Sequence, residues 1–345
     1  MISSPSFAFF VRKLAGLMTY AIEEIWIYSH PKVDVSSTVL LVGAPRSGTT
    51  WIMEIIEALG KYRVVFEPFH AGFYPEVKKF GAKFLNQPVY RPYLPINCED
   101  KNLKEYLNLV FQGKVSGYWY SPPKRLMKNL KWMIAENVLI KDVWITRLFP
   151  WIIHRFQHKT KNFLLLIRHP CAVIESQLRT GIGNPLCFCS KSVVKEAILR
   201  QLNSIEEFRD VIDNLHPKLR NIDRSEELLA VIWSMDYFVP LYYNAKNLYN
   251  LIVYENAVLY PRQITKRMLR FLRPKADENL SDLITHRAPT AKDTATKTIA
   301  NVYKWKERLS KQQIESILKI THTFNLTFYD ENIEPDYNEL MNWKP

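Results

Sequence analysis

Seven consecutive residues, Pro45-Arg46-Ser47-Gly48-Thr49-Thr50-Trp51, combine one cation, one glycine and three hydroxyls directly after the apolar run Leu40-Leu41-Val42-Gly43-Ala44. Such a set suits an anionic oxygen. Backbone N–H groups around Gly48 and the positive end of the following helix would face the turn, and Thr49 and Thr50 add hydroxyl donors. The spacing from Gly43 to Gly48 matches the frame of a G-x-x-x-x-G-K-[ST] loop, but Thr49 stands where the Lys belongs. A loop handling magnesium-bound β- and γ-phosphates needs that Lys. Here the nearby cation is Arg46, inside the loop, placed to neutralise a single 5′-phosphate and the group attached to it.

A second anion-binding set lies further along. Asn162 to Ile167 reads as a buried parallel strand, stopped by Arg168-His169-Pro170 before the helical stretch Cys171 to Arg179. Arg168 then sits at a strand's carboxyl end and Ser176 two helical turns into the next helix, where both can face one phosphate across the crest of the sheet. Two further strand ends carry ionisable groups: Glu67 after Tyr62 to Phe66, and Lys141-Asp142 after Val138 to Ile140. A carboxylate at a strand end beside a partly dehydrated pocket can serve as a general base, which makes Glu67 the first candidate. His70, with an ordinary pKa of about 6.5, is the alternative.

Together these segments resemble the sulfotransferases that use 3′-phosphoadenosine 5′-phosphosulfate (PAPS). Pro45 to Trp51 resembles their 5′-phosphosulfate loop, and Arg168 with Ser176 eight residues on resembles their 3′-phosphate site. The tyrosylprotein sulfotransferases share the Pro-Arg-Ser-Gly-Thr-Thr loop and place a catalytic Glu at the distance of Glu67. Lys141-Asp142 is similar to the Lys-Asp-Pro of that family, with Val143 in place of the Pro and Arg147-Leu148-Phe149-Pro150 following. Val253-Tyr254-Glu255-Asn256 and Lys304-Trp305-Lys306 resemble later elements, and the resemblance covers residues 38 to 325. It implies PAPS as donor, adenosine 3′,5′-bisphosphate (PAP) as product and no metal. Arg46, Ser47, Gly48, Thr49, Thr50, Trp51, Arg168, Ser176 and Lys297 would hold the donor. Catalysis would fall to Arg46, Lys141 and Glu67 or His70. Cytosolic synthesis of PAPS makes a cytoplasmic enzyme the expectation. The resemblance concerns donor and catalytic parts, so a glycan, lipid-like or phenolic acceptor stays open.

These residues need a sheet whose strand ends converge. Apolar segments at Val39–Val42, Arg63–Phe66, Val138–Ile140, Phe163–Ile167 and Leu251–Tyr254 alternate with helical stretches, which predicts one α/β domain. A parallel sheet would be covered by helices on both faces, with a helical C-terminal part. Helical patterns at Lys191–Leu215 and Glu226–Leu248 would pack over one side. The 345 residues, 47% of them hydrophobic, suffice for a large core and show no obvious linker. Aromatic-rich Phe73–Pro95 and Tyr118–Trp132 are candidate walls for an acceptor.

Net charge is +13, and residues 121–170 hold ten Lys or Arg against two Asp or Glu, a field that concentrates an anionic donor. No nucleic-acid module is recognisable. Cys98, Cys171, Cys187 and Cys189 have neither zinc nor disulfide spacing. Residues 1–36 form a helical extension in which Phe7, Phe10, Leu14, Leu17 and Ile25 share one face. Charges at Arg12, Lys13, Glu23 and Glu24 rule out a membrane span. The stripe is expected to pack on the core or a second subunit, with contact to a membrane surface as the alternative. Two other functional classes compete with sulfuryl transfer: a P-loop phosphotransferase, and a noncatalytic protein using its basic surface on polyanions or membranes.

Overall fold

The computed structural model describes residues 5–60, 62–70, 72–74, 77, 89–117, 131–209, 217, 219–243, 248–272 and 295–344. In chain order the elements are α1 Pro5–Ser29, β1 Val39–Gly43, α2 Thr49–Leu59, β2 Tyr62–Phe66, α3 Lys101–Phe111, β3 Asn137–Asp142, α4 Phe149–Phe156, β4 Phe163–Ile167, α5 Pro170–Thr180, α6 Lys191–Ser204, α7 Ser225–Tyr242, β5 Asn250–Val253, α8 Tyr254–Leu259, α9 Pro261–Leu272, α10 Ala295–Arg308, α11 Lys311–Thr323 and α12 Tyr337–Met341. The five strands form one sheet in the order β2-β3-β1-β4-β5, and every pair is parallel. The expected α/β architecture is the observed one.

Burial on both faces explains why the strands read as continuous apolar runs rather than alternating ones. Leu40, Val42, Ile140 and Leu165 point into a larger core with α7, α4 and α5, whereas Val39, Leu41, Leu139 and Leu164 meet α2, α8 and α9. Helix α7 is buried along most of its length, which its apolar sequence from Leu228 to Leu241 allows. It carries Asp236, whose carboxylate accepts from Arg91 Nε at 2.9 Å and Arg147 Nε at 2.8 Å. That shared acceptor keeps two buried guanidinium groups paired.

Several boundaries differ from the sequence reading. The helix expected over 191–215 ends at Ser204, where Ile205 turns extended and a 3-10 turn, Glu206–Phe208, follows. Strand β5 stops at Val253, and Tyr254 opens α8 instead of closing the strand. Buried side chains continue past position 325 to Phe328, Tyr329, Leu340 and Trp343, so the packed core takes in the C-terminal segment.

The largest departure concerns α1. Its buried face is Ala15, Thr19, Ile22, Glu23 and Trp26, while Phe10, Leu14, Leu17 and Ile25 are exposed. Packing of that stripe on this chain's own core is therefore corrected; Phe7's side chain lies outside the described residues. The inward face is selected by specific partners rather than by bulk hydrophobicity. Trp26 Nε1 donates to Ala135 O at 3.0 Å, the Arg63 guanidinium lies 4.7 Å over the Trp26 ring, and Glu23 accepts from Gly117 N at 2.9 Å beside buried Arg63.

Candidate active site

Parallel register sets the carboxyl ends of four strands side by side: Val42 opposite Asp142, Val42 opposite Leu165, and Phe66 opposite Lys141. From central β1 the chain crosses to edge β2, returns to β3 beside β1 and then passes over β1 to β4 and β5. The connection leaving β1 thus runs opposite to those leaving its two neighbours, the kind of reversal at which ligands bind beyond the strand ends. Backbone sterics shape the first loop. At Gly43 an added Cβ would lie 2.7 Å from Leu166 O, so only glycine lets β1 leave the sheet here. Gly48 opens α2 from a left-handed conformation, φ +98°, and a Cβ there would meet the Tyr254 ring at 2.4 Å. Arg46 also has positive φ, +73°, as does Glu67 at +51°. Among the described non-glycine residues only Asn325 joins them. Left-handed backbone at a side chain with a Cβ costs roughly 1–2 kcal/mol and aims that side chain where an ordinary turn would not.

The loop, β4 and α5 build a cationic notch. Arg46 Nε donates to Ser176 Oγ at 2.8 Å, and Arg168 NH1 donates to Arg46 O at 3.1 Å. The Arg168 guanidinium lies 4.3 Å over the Tyr254 ring, whose edge also meets Trp51 at 5.6 Å. Burial, then repulsion from Arg168 and Arg179, pushes the Arg46 pKa below its ordinary value. The neighbouring carboxylate, Glu175, is already shared by Arg179 Nε at 2.8 Å and Arg308 NH1 at 3.0 Å. Positive charge therefore exceeds negative charge around Arg46 and Arg168, beside the N-termini of α2 and α5, an arrangement that favours an anion.

The strand end beneath Arg168 is fixed by an inner polar cluster. Glu255 Oε1 accepts from His169 N at 2.9 Å and Oε2 from Tyr329 OH at 3.0 Å. The His169 ring stacks on Trp305 at 4.3 Å, and its Nε2 bonds Asp330 O at 2.9 Å while Nδ1 caps α5 at Cys171 N. Burial pushes the Glu255 carboxyl up to about 7 and the His169 imidazole down to about 4.

On the opposite side stands Glu67. Its Oε1 pairs with Lys141 Nζ, Trp144 Nε1 donates to its Oε2 at 3.3 Å, and its backbone N donates to Lys141 O at 2.6 Å. The Lys141 ammonium also lies 4.4 Å over the Phe66 ring. The place of the expected proline, Val143, is spanned by a carboxylate staple. Asp142 Oδ1 accepts from Trp144 N at 2.7 Å and Oδ2 from Phe69 N at 2.9 Å, joining the loops after β2 and β3. Burial pushes Asp142 up to about 7. His70 stacks on Phe73 at 3.9 Å, and its Nδ1 accepts from Gly72 N at 3.2 Å. Burial lowers its pKa, which keeps the ring neutral near pH 7. With Nδ1 engaged as acceptor, the proton sits on Nε2, and that tautomer presents a donor rather than a base.

The structure thus brings together Arg46, Arg168, Ser176, Tyr254 and Trp51, and separately Glu67, Lys141 and His70. Ser47 is buried in the loop, Thr49 is buried at the first position of α2, and Thr50 is half-buried on the same turn. Lys297 falls within α10 with its side chain outside the described residues, and so do most of the proposed acceptor walls, 78–88 and 118–130. Trp144 and Asp142's stapling role were missed by sequence reasoning. The signal for both was available as an acidic residue two positions before an indole at a strand's end. No group of side chains suited to a metal ion occurs among the described residues.

No family model and no curated protein matches the chain. Among solved structures it is similar to the sulfotransferase domain from the curacin biosynthetic pathway, at 15% identity and a TM-score of 0.42 over 84% of this chain and 97% of that one. It is also similar to the sulfotransferase domain from the Synechococcus PCC 7002 olefin synthase, at 18% identity and TM-score 0.39 over 86% and 95%. A third is mouse sulfotransferase SULT7A1 complexed with PAP, at 11% identity and TM-score 0.37 over 92% and 95%.

Proposed function

We propose that the chain transfers a sulfuryl group from PAPS to a hydroxyl of an acceptor. The observation that carries this reading is the Arg46 Nε to Ser176 Oγ bond of 2.8 Å, with Arg168 bound to the same loop. It joins residues 130 apart, from the two segments whose sequences suit anions, and a donor with both 5′ and 3′ anionic groups would use both. The set also fits by its chemistry: two guanidinium groups, an ammonium and several hydroxyls match phosphate and sulfate oxygens.

When bound, the donor supplies a sulfuryl group whose bond to the bridging oxygen breaks as the acceptor oxygen bonds to sulfur, the electron pair leaving with the 5′-phosphate. Arg46 and the N–H groups at the start of α2 neutralise that phosphate, with Thr49 and Thr50 as further donors. Arg168 and Ser176 take the 3′-phosphate. Lys141 offsets charge on the transferring group, and Glu67 accepts the acceptor's proton. The neutral, Nε2-protonated state of His70 supports Glu67 over His70 as base. Trp144 holds Oε2, leaving the carboxylate oriented by two donors. Phe66, His70, Phe73 and Trp144 form an aromatic cluster beside it, chemistry suited to the apolar side of a sugar, a phenol or an amphiphile.

PAP release from PAPS, followed chromatographically with and without a chelator and with a panel of hydroxylated acceptors, tests the proposal. Chelator-insensitive release that accelerates with an acceptor and is lost in Lys141→Ala supports it. Magnesium-dependent hydrolysis of ATP with no PAP release overturns it.

A further inference from the structure

Helix α1 presents two opposite faces. At 100° per residue its buried positions, Ala15, Thr19, Ile22, Glu23 and Trp26, lie on one side, and Phe10, Leu14, Leu17, Met18, Ala21, Ile25 and Tyr28 fall in a stripe on the other. Phe10 is 62% exposed and Tyr28 91%. The stripe spans roughly 27 Å at about 1.5 Å per residue. The 3-10 turn Lys131–Ile134 packs beside α1 and turns Met133 and Ile134 to solvent as well. An exposed apolar stripe of this length on a folded chain marks a docking surface.

The helix is not a loose tail. Glu23 bonds Gly117 N and pairs with buried Arg63, and Trp26 is fully buried beneath the Arg63 guanidinium. The outward stripe is therefore displayed on a fixed scaffold.

We propose that this face of α1 seats in the headgroup region of an anionic lipid bilayer, with the helix lying in the membrane plane. Charge decides between a bilayer and a second copy of the chain. Each copy carries +13, which opposes self-association through a small apolar stripe, while the same charge draws the chain to anionic headgroups. The exposed charges described on α1 itself are of both signs, Lys13 and Glu24, so the attraction comes from the net charge of the whole chain. An aromatic at each end of the stripe, Phe10 and Tyr28, suits the boundary between acyl chains and headgroups. No helix among the described residues is long and apolar enough to cross a membrane, so α1 would lie on it.

The test is sedimentation of the full chain with vesicles of phosphatidylcholine alone or with about 30% phosphatidylserine. The triple variant Leu14→Gln, Leu17→Gln, Ile25→Gln removes apolar surface without changing charge, and Phe10→Gln with Met18→Gln is the second variant. All five side chains are exposed, so thermal unfolding should be unchanged. The proposal expects binding to the anionic vesicles, weakened by about 0.5 M salt and lowered at least about tenfold by either variant. Absence of vesicle binding overturns it, as does binding that both variants retain. A stable dimer by light scattering that the variants dissociate, without vesicle binding, assigns the face to a second copy instead.

Discussion

Glu67→Gln separates the roles proposed for that carboxylate. Gln keeps an oxygen that can accept from Lys141 Nζ and an outline that fits beneath Trp144, but it cannot take a proton. Loss of a positioned base lowers turnover by about 10² to 10⁴, or roughly 2.7–5.5 kcal/mol at about 1.36 kcal/mol per decade. The stability cost is smaller. Lys141 is 2% exposed and loses its counter-charge, but Glu67 is 13% exposed and the amide oxygen still accepts. Against about 3–5 kcal/mol for stranding a fully buried charge, about 1–3 kcal/mol is expected. PAP affinity should hold within about threefold, because Glu67 is not among the groups assigned to the nucleotide. PAP release and thermal unfolding, measured on the same preparation, read both quantities. Turnover within about threefold of wild type, with PAP binding intact, would refute the assignment and leave Glu67 as the structural partner of Lys141.

Ser176→Ala removes both the acceptor for Arg46 Nε and a hydroxyl donor; calorimetry should show PAP binding weakened about 10- to 150-fold, for loss of a charge-assisted bond of about 1.5–3 kcal/mol, with adenosine 5′-monophosphate much less affected. Gly48→Ala puts a Cβ at φ +98° and 2.4 Å from Tyr254; about 2–4 kcal/mol of stability should be lost, read by denaturant unfolding, together with PAP affinity as the ring is pushed from beneath Arg168. For Glu255, the folded pKa of about 7 lies above the ordinary 4.5. The folded state then holds more protons across that window, so this group's contribution is most favourable below about pH 4.5, falls as pH rises to about 7 and is flat beyond. Glu255→Gln should reduce the difference in unfolding free energy between pH 4.5 and 7.5 relative to wild type, and an unchanged difference would contradict the buried-carboxyl assignment.

Strand positions were legible because full burial leaves uninterrupted apolar runs, and the loop after β1 was legible because Gly43 and Gly48 are demanded by close backbone contacts. Sheet order was not: nothing local in Val39–Val42 says that β3 and β4 flank it. Nor did composition distinguish the faces of α1. Hydrophobicity favours burying Phe10 and Leu14, yet the helix turns inward on Trp26 and Glu23, whose partners at Ala135, Arg63 and Gly117 are distant in sequence. Trp144 escaped notice for the same reason, since its value lies in reaching from the end of β3 to Glu67 at the end of neighbouring β2. Tyr254 could be placed near the site only as part of a four-residue resemblance, while its contacts with Gly48 and Arg168 are tertiary.

The central claim is that one cationic notch reads the two phosphates of an adenosine 3′,5′-bisphosphate. Calorimetric titration of the chain with PAP, adenosine 5′-monophosphate and ATP with magnesium tests it most directly. Tight binding of PAP, insensitive to a chelator and at least about 100-fold stronger than binding of the monophosphate, is the predicted result. Preference for ATP with magnesium, or equal affinity for PAP and the monophosphate, would contradict it.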